Sequence, residues 1–278
     1  MQAWQTSDPV RLREMATTIR KSVISSLARA KSGHLGGSLG LADIFTTLYF
    51  SVLTHNPLKP KWTDRDRVIL SIGHVAPVLY ATLAHCGYFS VEELQTLRKL
   101  GSRLQGHPGR EHGLPGLELS AGSLGQGLSV AVGMAIAAKM DHKKHRIYSI
   151  HGDGELQEGS IWEAAMAASH YKLDNLIAIV DRNGLQIDGR TEEVMSLEPL
   201  AGKWQSFGWQ VIECDGNSIE QLLSAFGNTG TAQNKPTVII AETIMGKGIR
   251  SIEGDYRWHG KVPTTEKAVE FIEQLAKQ

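Results

Sequence analysis

The sequence has few cysteines, and it lacks a membrane-spanning stretch. Its 278 residues include only two cysteines, Cys86 and Cys214, far apart and without the spacing of metal ligands. They predict buried, reduced thiols rather than a catalytic cysteine. No window approaches the roughly 18 to 20 apolar residues of a membrane span, and no basic segment followed by an apolar run opens the chain. A soluble, cytoplasmic protein is expected.

The chain also lacks net charge and obvious domain boundaries. Its 29 Lys and Arg balance its 29 Asp and Glu, so the formal net charge is 0. Such a chain exerts no general attraction on nucleic acid or on an anionic membrane, and neither is expected as a partner. Internal repeats, low-complexity tracts and linkers rich in Pro or Ser are absent. One domain over residues 1–278 is expected.

Short apolar runs alternate with signals for helices. The runs predict strands over 68–72, 146–150, 176–180, 209–213 and 237–241. Helices are predicted from Ser7-Asp8-Pro9 to Gly33, from Ser38 to Leu53, after the capping-box pattern of Ser90 and Glu93, and over 121–140, 160–170, 197–207, 219–226 and 265–276. Residues 101–119 predict a surface loop. This alternation indicates an α/β fold, a parallel sheet with helices on both faces.

The stretch IHGDGELQEG, residues 150–159, has the glycines of a phosphate-binding turn together with three carboxylates. A dinucleotide-binding fingerprint would need a third glycine where Gln157 stands. A P-loop would need a hydroxyl residue after Lys247, and Gly248 stands there. The sequence therefore argues against both kinds of nucleotide site.

A cation explains the acidic turn better. Asp153 follows one predicted strand, and Asn183 follows the next strand 30 residues later. Because neighbouring parallel strands end at the same edge of a sheet, the two side chains are expected to meet there. Magnesium takes one or two protein carboxylates together with phosphate oxygens, so Asp153 would help bind a phosphate through the metal. A plain glycine turn with a capping Asp, and turn residues before Gly184, remain open alternatives.

Seven motifs, in one order, resemble those of transketolases. They are SGHLGGSLG, DRVILSIGH, LQGHPG, GSLGQGLSVAVGMA, GDGELQEG, DRNGLQIDG and YRWHGKVP. In that family the GDG motif, followed about thirty residues later by Asn, binds thiamin diphosphate and magnesium. The resemblance covers nearly the whole chain and implies the thiamin diphosphate-binding fold. Deoxyxylulose-phosphate synthases are related, but their residues after GDG and in the Gly-rich helix segment differ from those here.

The resemblance also implies roles for individual residues. The metal, Mg²⁺ or another divalent cation such as Ca²⁺ or Mn²⁺, would be bound by Asp153, Asn183 and the carbonyl of Leu185. The cofactor would contact His74, Gly122, Ser123, Leu124, Gly152, Asp153, Gly154, Glu155, Asn183 and Leu185. Catalytic roles are implied for His34, His74, His107, His259, Glu158 and Glu163. The two glutamates resemble members of a carboxylate network that links two active sites. Leu35 stands where proline is common in the family, which predicts an altered loop.

Single-chain transketolases are more than twice as long, and their second domain grips the aminopyrimidine. The resemblance therefore implies the N-terminal, diphosphate-binding subunit of a split transketolase. It would transfer a two-carbon ketol unit from a ketose or ketose phosphate donor to an aldose or aldose phosphate acceptor, in a heterotetramer with a separate C-terminal, pyrimidine-binding subunit. Two alternatives stay open: the α subunit of a 2-oxo acid dehydrogenase, and a scaffold or regulatory homologue without catalysis.

Overall fold

The computed structural model describes residues 5–277, and the predicted strands pair in it as one parallel sheet. The strands of the described range are β1 Arg67–Leu70, β2 Ile147–Gly152, β3 Leu176–Arg182, the short hairpin β4 Leu185–Gln186 and β5 Gly189–Arg190, then β6 Gln210–Asp215 and β7 Thr237–Glu242. The sheet order is β1-β2-β3-β7-β6, and every neighbouring pair is parallel. All carboxyl ends therefore lie at one edge.

Helices cover both faces of the sheet, as the sequence predicts. The α-helices of the described range are α1 Pro9–Ala30, α2 Gly36–Gly40, α3 Ala42–Thr47, α4 Ala76–His85, α5 Gly127–Met140, α6 Gly159–His170, α7 Thr191–Val194, α8 Leu200–Ser206, α9 Ile219–Gly227 and α10 Thr265–Leu275. Alternate side chains of β3 enter opposite cores: Ile177 and Ile179 pack with α1, α3, α4, α9 and α10, whereas Ala178 and Val180 pack with α5, α6 and α8. Strands buried on both sides explain the unbroken apolar runs.

One strand departs from that pattern. β6 lies at the edge of the sheet and is largely half-buried, with Glu213 and Asp215 exposed. The expectation that all strands are apolar throughout is wrong for this one. An edge strand presents backbone groups to solvent, and charged side chains there discourage pairing with another chain.

Three helix predictions need correction. Residues 38–53 form α2, α3 and a π-helical turn, Leu48–Val52, and the Ser38 hydroxyl donates to the carbonyl of His34 inside α2 instead of capping a helix. Ser90 precedes a 3-10 helix, Val91–Thr96, without capping it, because its hydroxyl donates to Glu92; Glu93 pairs with Arg103 at 2.7 Å instead of closing a capping box. Both serine hydroxyls thus bond other nearby groups instead of a helix N-terminus.

The third correction concerns the small-residue helix, which starts at Gly127 rather than at Ala121. Gly125 has a φ of +83°, which a helix does not admit, so the chain turns there. A helix that the sequence did not predict, α4, follows His74 closely. All its residues from Ala76 to Ala84 are buried, so its apolar side chains show no helical period in the sequence.

The structure bears on two predictions: that the cysteines are buried thiols, and that the chain has no membrane-spanning segment. Both cysteines are free; Cys86 is buried as predicted, whereas Cys214 is only half-buried. Burial raises the pKa of the Cys214 thiol to about 11, so it is a poor nucleophile. Between residues 5 and 277, the helices are all too short or too polar to span a membrane.

Candidate active site

The carboxyl ends of four neighbouring strands carry most of the predicted site residues. His74 follows β1, Asp153 follows β2, Asn183 follows β3, and the segment that leads to His259 follows β7. Ligands of open parallel sheets bind beyond this edge. The sheet order thus unites residues that the sequence separates by up to 185 positions, the difference between 259 and 74.

Asp153 lies in the turn between β2 and α6, and it is 1% exposed. Its Oδ1 accepts the Gly154 N–H at 2.8 Å, and its Oδ2 accepts the Gly184 N–H at 2.6 Å. The second bond joins the turn after β2 to the turn after β3, as the spacing of the two residues predicts. Burial raises the pKa of the Asp153 carboxyl despite these donors. A buried anion of this kind is stabilised by a nearby cation.

The segment after β3 carries the other two residues predicted to bind metal, Asn183 and Leu185. The Asn183 side chain bonds its own turn, with Oδ1 accepting the Leu185 N–H at 2.9 Å and Nδ2 donating to Asp181 at 3.0 Å. Gly184 has a φ of +72°, which lets the chain turn sharply between Asn183 and Leu185. The three residues predicted to bind metal therefore belong to two turns joined by hydrogen bonds.

Two charged residues at this edge were not predicted. Arg182 donates to Asp153 at 3.1 Å and to Glu192 at 2.9 Å, so it links the acidic turn to α7. Asp181 is buried, and burial together with the negative charge of Asp153 raises the pKa of its carboxyl to about 7, although Thr243 donates to it. The sequence pattern DRN suggests only turn residues, because it shows neither burial nor distant partners.

Four predicted histidines form a cluster at the same edge. The ring of His34 lies 5.0 Å from His74, 5.5 Å from His259 and 6.4 Å from His107, measured between ring centroids. His74 and His259 are 4.9 Å apart. The Nδ1 atoms of His34 and His259 are buried and have no hydrogen-bond partner among residues 5–277. Two such nitrogens indicate a cluster completed by a polar ligand.

A glycine explains how the cluster assembles. Gly36, two residues after His34, packs so closely that an added Cβ would lie 3.0 Å from the carbonyl oxygen of Trp258. Its own carbonyl accepts the Gly246 N–H at 2.9 Å. The segment that carries His34 thus docks on the segment that carries His259. Leu35, which stands where proline is common in the family, does not keep His34 out of the cluster.

The imidazoles of the cluster favour the neutral form. Burial, followed by the charges of neighbouring histidines, lowers the pKa of His74 to about 3. Burial is also the first cause for His34, whose pKa is lowered to about 4, with smaller effects of His259, His107 and Arg98. Neutral imidazole both donates and accepts a hydrogen bond, which suits proton transfer to and from sugar hydroxyls.

The lowered pKa of His74 makes the stability of the folded protein depend on pH. Below pH 6.5 the unfolded chain binds a proton at His74, and the folded chain does so only near pH 3, so acid favours unfolding. We expect the free energy of unfolding of wild type to fall on the order of 3 kcal/mol more between pH 7 and pH 4 than that of His74→Gln. Urea titrations at the two pH values measure the difference. An equal fall in both proteins would contradict the buried, neutral state of His74.

Arg98 is a further residue that the sequence analysis missed. It has a φ of +60°, uncommon for a side chain other than glycine. Its guanidinium packs on Gly106, where an added Cβ would lie 2.3 Å from Nη1, and its charge lowers the pKa of His107, after burial. Arg98 has no carboxylate partner in the part of the chain described. It lines a pocket of about 460 Å³ with His107, His112 and Ser120.

The remaining predicted residues lie around this edge with different exposures. Gly122 and Ser123 are exposed, and a Cβ on Gly122 would lie 3.9 Å from His107. Glu155 instead points inward and is 2% exposed. Glu158 and Glu163 lie on the solvent side of α6, where Glu158 packs on Gly125. Within this single chain neither glutamate joins the histidines, and their predicted roles stay predictions.

The residues fit a diphosphate and a divalent cation. Within residues 5–277, no group of three or more His, Cys, Asp or Glu is placed to hold a metal alone. The set of Asp153, Asn183 and Leu185 has one carboxylate, so a metal there would need further oxygens, such as those of a diphosphate. The buried Asp153 and the unpartnered nitrogens of His34 and His259 lie at the same edge of the sheet.

Comparison with known proteins agrees with this geometry. A family model described as "Transketolase, thiamine diphosphate binding domain" matches residues 12–275. One subunit of the apulose-4-phosphate transketolase of Phocaeicola vulgatus is 47% identical over 259 residues, which cover 93% of this chain and 92% of that protein. The 6-deoxy-6-sulfo-D-fructose transketolase subunit SqwG of a Clostridium species is 44% identical over 267 residues, covering 96% of this chain and 97% of that one.

Solved structures show the same fold. The transketolase of Campylobacter jejuni superimposes with a TM-score of 0.89 at 36% sequence identity. That match covers 95% of this chain but 42% of the solved one. The chain thus spans nearly the full length of the two subunits and less than half of the longer transketolase.

Proposed function

The chain belongs to the transketolase family as its N-terminal, thiamin diphosphate-binding part, and we propose that it works as one subunit of a two-chain enzyme. With a separate pyrimidine-binding subunit, it transfers a two-carbon ketol unit from a ketose phosphate to an aldose phosphate. One observation carries this proposal: the Asp153 turn and the cluster of four histidines lie at the same edge of the sheet. A diphosphate site beside groups that serve sugar hydroxyls is what ketol transfer needs.

We assign the metal to Asp153, Asn183 and the carbonyl of Leu185, and the cation is Mg²⁺, Ca²⁺ or Mn²⁺. The diphosphate would contact the backbone of the turns at 152–154 and 122–124, and His74. Thiamin diphosphate, when bound, supplies a carbanion nucleophile and an electron sink, as cofactors of this class do. The chain itself would supply position and charge, because its Asp153 carboxylate would hold the metal that neutralises the diphosphate.

The histidines would act on the sugar. Neutral His34 and His259 each have an Nδ1 atom free to bond a hydroxyl, among the described residues. Such groups hold a sugar hydroxyl in the reacting geometry, accept its proton and return one in the second half-reaction. A cluster of four imidazoles supports ketol transfer more strongly than oxidative decarboxylation, which handles no chain of hydroxyls.

The partner subunit is part of the proposal. The two subunit relatives match this chain at nearly full length, which supports a second chain for the pyrimidine half. α5 has only two polar residues, Ser129 and Lys139, yet Met140 is 75% exposed, and Met166 on the neighbouring α6 is 59% exposed. An apolar helix with exposed methionine side chains supports assembly, and we propose a heterotetramer.

Free cysteines support a reducing, cytoplasmic location.

Arg98 predicts how the enzyme treats charged substrates. Its guanidinium lies beside His107 without a carboxylate partner in the described range, so it is placed to attract an anionic sugar terminus. In the assembled enzyme, Arg98→Met is expected to raise KM for fructose 6-phosphate about 10-fold, with little change for neutral erythrulose. Lys99→Met, which removes the neighbouring exposed charge, is the matched control. Equal KM changes for both donors would contradict a contact with the anionic group.

Substrate tests separate the proposed activity from its alternative. The complex of this chain with its partner, supplied with thiamin diphosphate and Mg²⁺, is offered ketose phosphates with an aldose acceptor, or 2-oxo acids. We expect transfer from a ketose and no release of CO₂ from the acids. Decarboxylation without ketol transfer would replace the proposal by a 2-oxo acid dehydrogenase. A complex that binds no thiamin diphosphate would favour a scaffold.

A further inference from the structure

A chain of hydrogen bonds lies beneath the Asp153 turn and takes no part in the chemistry of the sugar. His151 Nδ1 lies 3.1 Å from Glu155 Oε2, and His151 Nε2 lies 2.7 Å from Ser149 Oγ. The Glu155 carboxylate also accepts from the Ser71 hydroxyl at the end of β1. Ser71, Ser149, His151 and Glu155, the buried network, are each at most 2% exposed.

The buried network joins two glycine-rich turns. Glu155 Oε1 accepts the Gly125 N–H at 2.8 Å, and the Ser71 hydroxyl oxygen accepts the Gly127 N–H at 3.1 Å. Glu155 itself belongs to the turn of residues 152–157, and its Oε2 accepts the Gly152 N–H at 3.3 Å. One carboxylate therefore holds the turn at 152–157 against the turn at 122–127. The chain turns sharply within 122–127, at Gly125 with a φ of +83°, and the bond from the Gly125 N–H to Glu155 holds it there.

The order Ser149, His151, Glu155 is that of a hydrolytic triad, but its burial excludes that chemistry. With Ser149 and His151 both at 0% exposure, no substrate reaches the hydroxyl. A carboxylate only accepts hydrogen bonds, so His151 Nδ1 donates to Glu155. Burial acts to raise the pKa of Glu155, and the attraction of His151, Ser71 and Gly125 outweighs it, so the pKa lies below its usual value. A fully partnered network of this kind fixes geometry.

We propose that His151 and Glu155 are positioning residues that set the two glycine-rich turns at the separation a diphosphate requires. The inference rests on the proposed function, since it takes these turns to hold thiamin diphosphate. It gives a structural role to the Glu155 carboxylate, which points away from the proposed ligand. The cofactor would bond backbone N–H groups that neighbour those already bonded to Glu155 and Ser71, and the buried network keeps both turns in place before the cofactor arrives.

The test measures cofactor affinity and turnover separately in the assembled two-chain enzyme. His151→Leu and Glu155→Gln are expected to raise the dissociation constant of thiamin diphosphate about 10- to 100-fold, the range seen when a group that orients a ligand is removed. Isothermal titration with the cofactor and Mg²⁺ measures this constant. At saturating cofactor, the kcat of His151→Leu should stay close to that of wild type, because the histidines that serve the sugar are untouched.

Controls distinguish positioning from stability. Thr82→Ala removes a buried hydroxyl that bonds only the Val78 carbonyl of α4, so it should lower the melting temperature without changing the dissociation constant. Ser149→Ala removes only the outer hydroxyl of the network and should weaken cofactor binding about 3-fold. Unchanged constants in Ser149→Ala and in the other two variants, with lowered melting temperatures alone, would overturn the inference. A wild-type enzyme that binds no thiamin diphosphate would overturn the proposed function as well.

Discussion

Asp153→Asn is expected to weaken binding of thiamin diphosphate with Mg²⁺ at least about 100-fold in the assembled enzyme, and to reduce turnover accordingly. The substitution removes the only carboxylate of the proposed metal set. It also places an amide N–H₂ against a donor in either orientation, because Oδ1 accepts from Gly154 and Oδ2 accepts from Gly184. Titration with cofactor at fixed Mg²⁺ measures the loss.

A matched control makes the same Asp-to-Asn substitution at a position outside the proposed site. Asp64→Asn breaks an exposed pair with Lys143, 2.8 Å long, close to the amino ends of β1 and β2. Exposed pairs contribute little, so cofactor binding and turnover should stay as in wild type. Equal cofactor affinity in Asp153→Asn and Asp64→Asn would show that the GDG turn is an ordinary glycine turn.

His34→Asn and His259→Asn are expected to lower kcat/KM by about 100- to 10,000-fold, the contribution of a positioned acid or base. Both residues lie in the cluster, with ring centroids 5.5 Å apart, and both present a buried Nδ1 without a partner in the described range. Because neither contacts the Asp153 turn in the hydrogen bonds observed, the dissociation constant of the cofactor should change by less than about 3-fold. Steady-state kinetics at saturating cofactor separates the two quantities.

His170→Asn provides the comparison for that result. This histidine is exposed at the end of α6, away from the cluster, and should leave kcat/KM unaltered. A loss of cofactor affinity in His34→Asn as large as the loss of turnover would assign the histidines to binding instead of proton transfer.

The sequence alone predicts the sheet and the place of its site. Buried strands leave unbroken apolar runs, and parallel order makes Asp153 and Asn183 follow neighbouring strands at one edge. α4 escapes prediction because it is buried on every side and shows no helical period. The start of α5 is not predicted either, since it depends on hydrogen bonds from Gly125 and Gly127 to Glu155 and Ser71, which are distant in the sequence.

The sequence predicts the site residues that stand in a recognisable motif with a known role, and it does not predict the others. The histidines stand in motifs that resemble a known family, and the structure brings all four together. Arg98 and His151 lie outside the motifs, and Arg182 lies in DRNGLQIDG without a predicted role, because the importance of all three comes from what they contact. From the sequence, no role is predicted for His151. The fold alone places it beside Glu155, at 0% exposure.

One measurement tests the central claim most directly, that this chain is the diphosphate-binding half of a two-chain transketolase. The tagged chain is purified from its native host, the protein captured with it is separated, and each is assayed for ketol transfer with thiamin diphosphate and Mg²⁺, alone and mixed. The account predicts transfer by the mixture only, with the cofactor bound to the complex. Transfer by the isolated chain at the rate of the mixture would contradict it.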